Sequence, residues 1–233
     1  MQDNSTYERI LEAAAKLFAE RGYSATTTRE IVKEAGSSLS SLQFYFQSKE
    51  SVYSETINRA LVRQHEMLKP VFDEIDAYEQ AGLLDSANAQ HLIIDLVTKM
   101  TDWVMLKDEQ NVIRLMSQEM MSLSPLFPVV PDHAMAIHRY FCKLFLARAE
   151  TIDLFSAKIL SFLVVISFFN LALYPRVFQQ VLDCDVEDPE NLLHAKIIMK
   201  SYILTSIQAF LDHYTSENEA LPESKNYTSE KEG

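Results

Sequence analysis

The sequence predicts an all-α chain, and two observations carry that prediction. Four glycines in 233 residues leave few positions for the hairpin turns of an antiparallel sheet, or for phosphate-cradling loops. Apolar residues make up 48 % of the chain and recur with helical periodicity almost from end to end. That content also excludes a wholly disordered protein.

The first helix is expected from about Thr6 to Arg21. Ser5 and Glu8 have capping-box spacing, in which each side chain satisfies an orphan backbone donor of the first turn. Ile10, Leu11, Ala14, Leu17 and Phe18 fall on one face, and Gly22 stands where a left-handed C-cap is wanted. Thr27-Thr28-Arg29-Glu30 is a second box, opening a short helix that holds Ile31 and Val32 and closes near Ala35-Gly36. Ser37 and Ser38 cap a third short helix through Leu42 to Phe46. Ser48 caps a long fourth helix that begins at Lys49-Glu50 and continues toward Asp76. Two short helices, joined by a tight glycine-containing turn and braced by a third, make a helix-turn-helix in outline. Phe18, Leu42 and Phe46 are read as its core.

Beyond Ala77 come longer amphipathic segments at about 88–106, 109–122, 131–149, 153–174 and 190–214. Pro125, Pro128 and Pro131 punctuate one junction and Pro175 another. Asp188-Pro189-Glu190 reads as N-cap, first helical residue and acidic first turn. From Ser216 the chain is polar and poor in apolar residues, which predicts a disordered tail. The expected organisation is therefore a helix-turn-helix domain over 1–54, a helical domain over 55–215 and a tail over 216–233.

Net charge is -12, but it is unevenly spread. Residues 1–54 hold 6 Lys/Arg against 7 Asp/Glu, and residues 55–233 hold 15 against 26. A near-neutral first domain has to bind phosphate through a few placed cations and backbone amides rather than a broad basic field. The start, Met1-Gln2-Asp3-Asn4, has neither the basic nor the apolar region of a signal peptide. Ile159–Leu173 is apolar over 15 residues, short of the roughly 20 of a membrane span. Cys142 and Cys184 form no C-x-x-C unit and read as ordinary thiols of a reducing cytoplasm. The six histidines lack metalloprotease spacing, and neither a nucleophile elbow nor a P-loop is present. No catalytic residue, metal site or cofactor is assigned, and the acidic run Asp183–Asp188 reads as a solvated loop and helix cap.

Taken together, Ile10, Ala14, Leu17, Phe18, Gly22-Tyr23, Thr26-Thr27-Thr28, Ile31, Ala35-Gly36-Ser37-Ser38, Leu42, Phe46 and Ser48-Lys49-Glu50 resemble the N-terminal DNA-binding domain of TetR-type regulators. The likeness covers about a fifth of the chain; the remainder matches that family only in being helical. It implies a ligand-responsive regulator, a repressor, that binds a palindromic double-stranded DNA operator as a homodimer and is released by a small, mainly apolar effector. By this resemblance Thr28 should donate to a phosphate, and Tyr45 and Lys49 should meet phosphates on the flank. Gly36, Ser37 and Ser38 offer close backbone approach and hydroxyls at a helix start. Leu39, Ser40, Ser41 and Gln43 belong to the recognition helix, where Gln43 can pair bidentately with adenine and Leu39 can meet a thymine methyl. That helix carries no Lys or Arg, which favours one alternative: a helical interaction protein that keeps the fold and binds DNA weakly.

Six of the nine methionines lie between Met100 and Met135, and flexible thioethers suit a pocket that accepts several apolar shapes. The candidate ligand-binding residues are Met100, Trp103, Arg114, Met116, Met120, His138, Phe145 and Asn170; the alternative for each is plain core. In the last segment Ile197, Leu204, Ile207 and Leu211, with Phe210 beside them, make a strip too wide for a surface helix. In the resembled family the last two long helices pair with their two-fold mates, and here Asn170 can fix their register.

Overall fold

The computed structural model describes residues 5–106, 109, 111, 113–115, 132–173, 180, 181, 183, 185 and 188–216, with backbone only at 132–134, 170–173, 215 and 216. Most of the segment expected at 109–122, Cys184, and the tail from 217 onward lie outside the described residues, as do the candidates Met116 and Met120.

Eight helices are described in full: α1 (Thr6–Ala25), α2 (Thr28–Glu34), α3 (Leu39–Tyr45), α4 (Lys49–Gln80), α5 (Ser86–Val104), α6 (Asp132–Arg148), α7 (Leu154–Leu173) and α8 (Pro189–Ser216). The expected caps of α2, α3, α4 and α8 are in place. Thr27 and Glu30 form the reciprocal box, Ser38 accepts from the Ser41 N–H, Ser48 from Ser51, and Asp188 from Glu190 and Asn191. At α1 only half the expected box forms. Ser5 accepts from the Glu8 N–H, but the Glu8 carboxylate pairs with Arg59 of α4.

Two helices run further than the sequence pattern predicts. α1 continues past Gly22 to Ala25, with Gly22 out of helical geometry at φ 80°. α4 continues four residues beyond Asp76, through Pro70. Pro70 and Glu66 are exposed, so water can satisfy the Glu66 carbonyl that the proline ring leaves without an N–H partner.

Two cores share α4. The first gathers α1–α3 with Val52, Tyr53, Ile57, Ala60 and Leu61 of α4. The second gathers Leu68, Val71, Phe72 and Ile75 of α4 with α5–α8. The first core thus extends past the boundary expected at residue 54. Ile113 packs in the second core and Leu115, 1 % exposed, in the first. Across the second core Phe72 stacks on Tyr140 at 4.0 Å, and Lys143 pairs with Asp76 and Glu79.

The apolar strip of α8 is corrected in register. Ile207 and Leu211 face the chain's own core and Leu204 packs against it. Leu193, Ile197, Ile198 and Tyr202 are exposed, and so are Phe155, Ile159, Phe162, Leu163 and Ile166 of α7. No helix among the described residues is long and apolar enough to cross a membrane.

Candidate nucleic-acid interface

The turn between α2 and α3 is built on Gly36. Its φ of 57° lies in the left-handed region, which costs a residue with a Cβ about 1–2 kcal/mol. Ser37 N–H donates to the Val32 carbonyl (2.8 Å) and Gly36 N–H to Lys33 (3.3 Å), closing α2 in the double-bonded manner of a Schellman motif. Arg9 ties α1 to the same place through the Ala35 carbonyl, 3.3 Å away. The chain therefore enters α3 from a fixed direction.

Along α3 only Leu42 is buried. Leu39, Ser40, Gln43, Phe44 and Tyr45 are exposed and Ser41 half-buried. Ser38 and Ser41 are occupied with each other: Ser38 Oγ caps Ser41 N–H at 3.0 Å and lies 2.9 Å from Ser41 Oγ. Thr28, at the first position of α2, is half-buried, and Gly36 is exposed. Ser37 departs from expectation. Its hydroxyl oxygen is buried with no hydrogen-bond partner, which withdraws it from direct contact with a phosphate.

Lys49 also has a role inside the fold. Its ammonium donates to the carbonyls of Tyr23 (2.8 Å) and Thr26 (2.9 Å) and sits 4.1 Å from the centre of the Tyr23 ring. Two of its three N–H groups thus hold the end of α1, leaving one for an external anion. Tyr23 packs among Phe18 and Tyr53; burial and the Glu50 carboxylate push its hydroxyl up to about 12. The other cations divide sharply. Lys16 pairs with Glu34 and Arg21 with Glu30, while the Thr27 hydroxyl and amide hold the Glu30 carboxyl below its usual range. Arg29 and Lys33 on α2 are exposed, and neither pairs with an acid among the described residues. Sequence places Arg29 only within the box that opens α2, and it leaves Phe44 open between packing and a backbone contact. The signal for both is exposure, which appears only once α2 and α3 are folded.

The candidate ligand-binding residues do not converge on one opening. Met100, Trp103 and Phe145 lie in the second core. Trp103, 1 % exposed, meets Phe169 edge-on at 6.2 Å, and its indole N–H has no partner. Arg114 likewise has a buried, unpartnered Nε. His138 is half-buried, with Nδ1 3.2 Å from Ser161 Oγ, and burial lowers its pKa from 6.5. The side chain of Asn170, like Met116 and Met120, is outside the described residues. A cleft of about 580 Å³ lies elsewhere, between α1, α2, α4 and Asn111, lined by Arg9, Lys16, Arg59 and Arg63 and by Glu8, Glu12 and Glu34 among others.

Residues 10–56 match the family described as "Bacterial regulatory proteins, tetR family". Over 51 residues, 22 % of this chain and 27 % of the relative, the sequence is 45 % identical to the HTH-type transcriptional regulator QacR of Staphylococcus aureus. Over 141 residues, 60 % of this chain and 63 % of the relative, it is 26 % identical to the HTH-type transcriptional dual regulator CecR of Shigella flexneri. The chain thus spans about a quarter of the first relative and under two thirds of the second. A solved TetR-like transcriptional regulator from Rhodococcus sp. RHA1 superposes with a TM-score of 0.61, covering 89 % of this chain and 98 % of that one. At 16 % identity this is a likeness of fold.

Proposed function

We propose that this chain, a TetR-type regulator by its N-terminal domain, binds operator DNA as a homodimer, represses from there, and leaves when a small, mainly apolar effector enters the helical domain. Support for DNA binding comes from the preorganised turn at Gly36 and the exposed outer face of α3, which is how a recognition helix is offered to the major groove. Support for the dimer comes from the exposed apolar sides of α7 and α8. Exposed apolar residues gathered on two helices favour a partner surface, and in a two-fold dimer a second copy of the same face would cover both.

The observation that carries the coupling is the packing of Glu109, Ile113 and Leu115. Ile113 packs in the helical core and Leu115 in the DNA-binding core. Glu109, 5 % exposed, pairs with Arg63 of α4 at 2.9 Å. A shift of these residues therefore acts on both cores at once. Half-sites lie about 34 Å apart on the same face of DNA, so a tilt of α4 by a few ångström spoils the fit of two recognition helices together. The proposed effector contacts are Met100, Trp103, Arg114, Met116, Met120, His138, Phe145 and Asn170. The proposed DNA contacts are Thr28, Gly36, Ser38, Leu39, Ser40, Ser41, Gln43, Tyr45 and Lys49, joined by Arg29.

A second reading, an interaction protein that binds DNA weakly, draws on the uncharged recognition helix and on the pairing of Lys16 and Arg21 with glutamates. Anisotropy titrations against duplexes from the chain's own upstream region, at several salt concentrations, separate the two. Regulator behaviour is a preference of at least about a thousandfold over random duplex at physiological salt. Equal, weak affinity for both duplexes supports the second reading.

A further inference from the structure

The outer face of α3 is built for one kind of base edge. Leu39, Ser40, Gln43 and Phe44 occupy positions i, i+1, i+4 and i+5, an arc of about 140° on a helix whose one buried side chain is Leu42, and all four are exposed. None is charged. Phe44 is 82 % exposed, more than any other large apolar side chain among the described residues, and it lies away from the apolar sides of α7 and α8. Its ring is nonetheless positioned. It meets Tyr45 edge-on at 5.0 Å, and Tyr45 meets Tyr7 edge-on at 5.6 Å. The Tyr7 hydroxyl in turn donates to Glu55 of α4 at 2.6 Å. An exposed aromatic braced by two further rings is held ready for a contact that the protomer alone does not supply.

In the major groove guanine offers acceptors, cytosine a donor and adenine one of each; the prominent apolar group is the C5-methyl of thymine. We propose that Phe44 reads a thymine C5-methyl group and is a specificity determinant of the operator, while Leu39, about 140° away around the helix, is free to meet a second. Gln43 between them matches the N6/N7 edge of adenine, so the half-site read by α3 is rich in A·T pairs. The inference rests on the regulator reading above.

The test uses the full chain and duplexes that it enriches from a randomised 30-base-pair pool. Each thymine of an enriched duplex is replaced singly by deoxyuridine, which removes only the methyl. We expect one or two thymines per half-site at which this replacement weakens binding about three- to fivefold. In Phe44→Ala, checked for an unchanged melting temperature, the deoxyuridine effect should vanish at one of them while the salt slope stays as in the wild type. Phe44→Leu should restore part of it. Enriched duplexes indifferent to deoxyuridine at every thymine overturn the inference alone, as does a Phe44→Ala loss that is equal on thymine and deoxyuridine duplexes. A pool with no enriched sequence overturns the regulator reading and this inference with it.

Discussion

At Lys49 one ammonium holds two backbone carbonyls and a tyrosine ring, so removing it strikes the end of α1 as well as any phosphate contact. Hydrogen bonds to a charged group contribute about 1.5–3 kcal/mol, and partial exposure discounts that figure here. Lys49→Ala should lower stability by about 1–2 kcal/mol and reduce the salt slope of DNA binding by no more than about one unit. Thermal melts and salt titrations on the same sample check both, and an unchanged melt contradicts the fastening. His138 supplies a pH dependence. Burial keeps its imidazole neutral below 6.5, so the unfolded chain takes up the proton first as pH falls. The stability this side chain contributes is full above about 6.5 and declines below it. His138→Asn should flatten the melting temperature between pH 7.5 and 5.5 relative to wild type; an equal decline in both excludes His138 as the cause. Local side-chain roles such as the Thr27, Ser38 and Ser48 caps were legible in sequence, because the donor sits three residues away. The bonds of Lys49 were not, because they reach back to residues 23 and 26.

Among the helices, α7 and α8 carry the main consequence. α8 is apolar on more than one side, and periodicity alone cannot say which side packs within the chain. Packing against α5 and α7 assigns Ile203, Ile207 and Leu211 inward, leaving Ile197, Ile198 and Tyr202 outward. Ile198→Glu or Phe162→Glu should therefore convert a dimer to a monomer with native helix content. Ile207→Glu, which buries an unpaired charge in the protomer itself, should unfold the chain at a cost of several kcal/mol. Light scattering with circular dichroism distinguishes these results, and a dimer that survives both exposed-face substitutions contradicts the proposed interface. α1 and α4 run past their expected ends, α1 because Gly22 read as its stop and α4 by four residues beyond Asp76. Tertiary packing carried both helices on, at Gly22 with only a local kink.

At the scale of the whole molecule, two cores are joined through α4, and Ile113 and Leu115 lie one in each. Leu115 is the test of that joint, being fully packed in a core to which none of its sequence neighbours among the described residues belongs. Leu115→Ala should cost about 2–5 kcal/mol, felt first in α1–α3. Hydrogen exchange should rise there while α5 and α6 stay protected, and uniform exchange across both cores would argue against a separate joint. The helix-turn-helix itself was legible, since its spacing is a local pattern. The shared helix was not, because Ile57, Ala60 and Leu61 continue the same periodicity that later serves the second core.

The regulator reading stands most directly on two recognition helices reading one duplex together. Affinity should be measured for an enriched duplex with its two half-sites intact, with one half-site scrambled, and with five base pairs inserted between them. Five base pairs turn the half-sites to opposite faces of the DNA, at roughly 10–10.5 per turn. A two-fold dimer predicts that scrambling and insertion each reduce affinity by at least tenfold. Equal affinity for all three duplexes would mean that the chain binds through one domain at a time, and would contradict the dimeric reader.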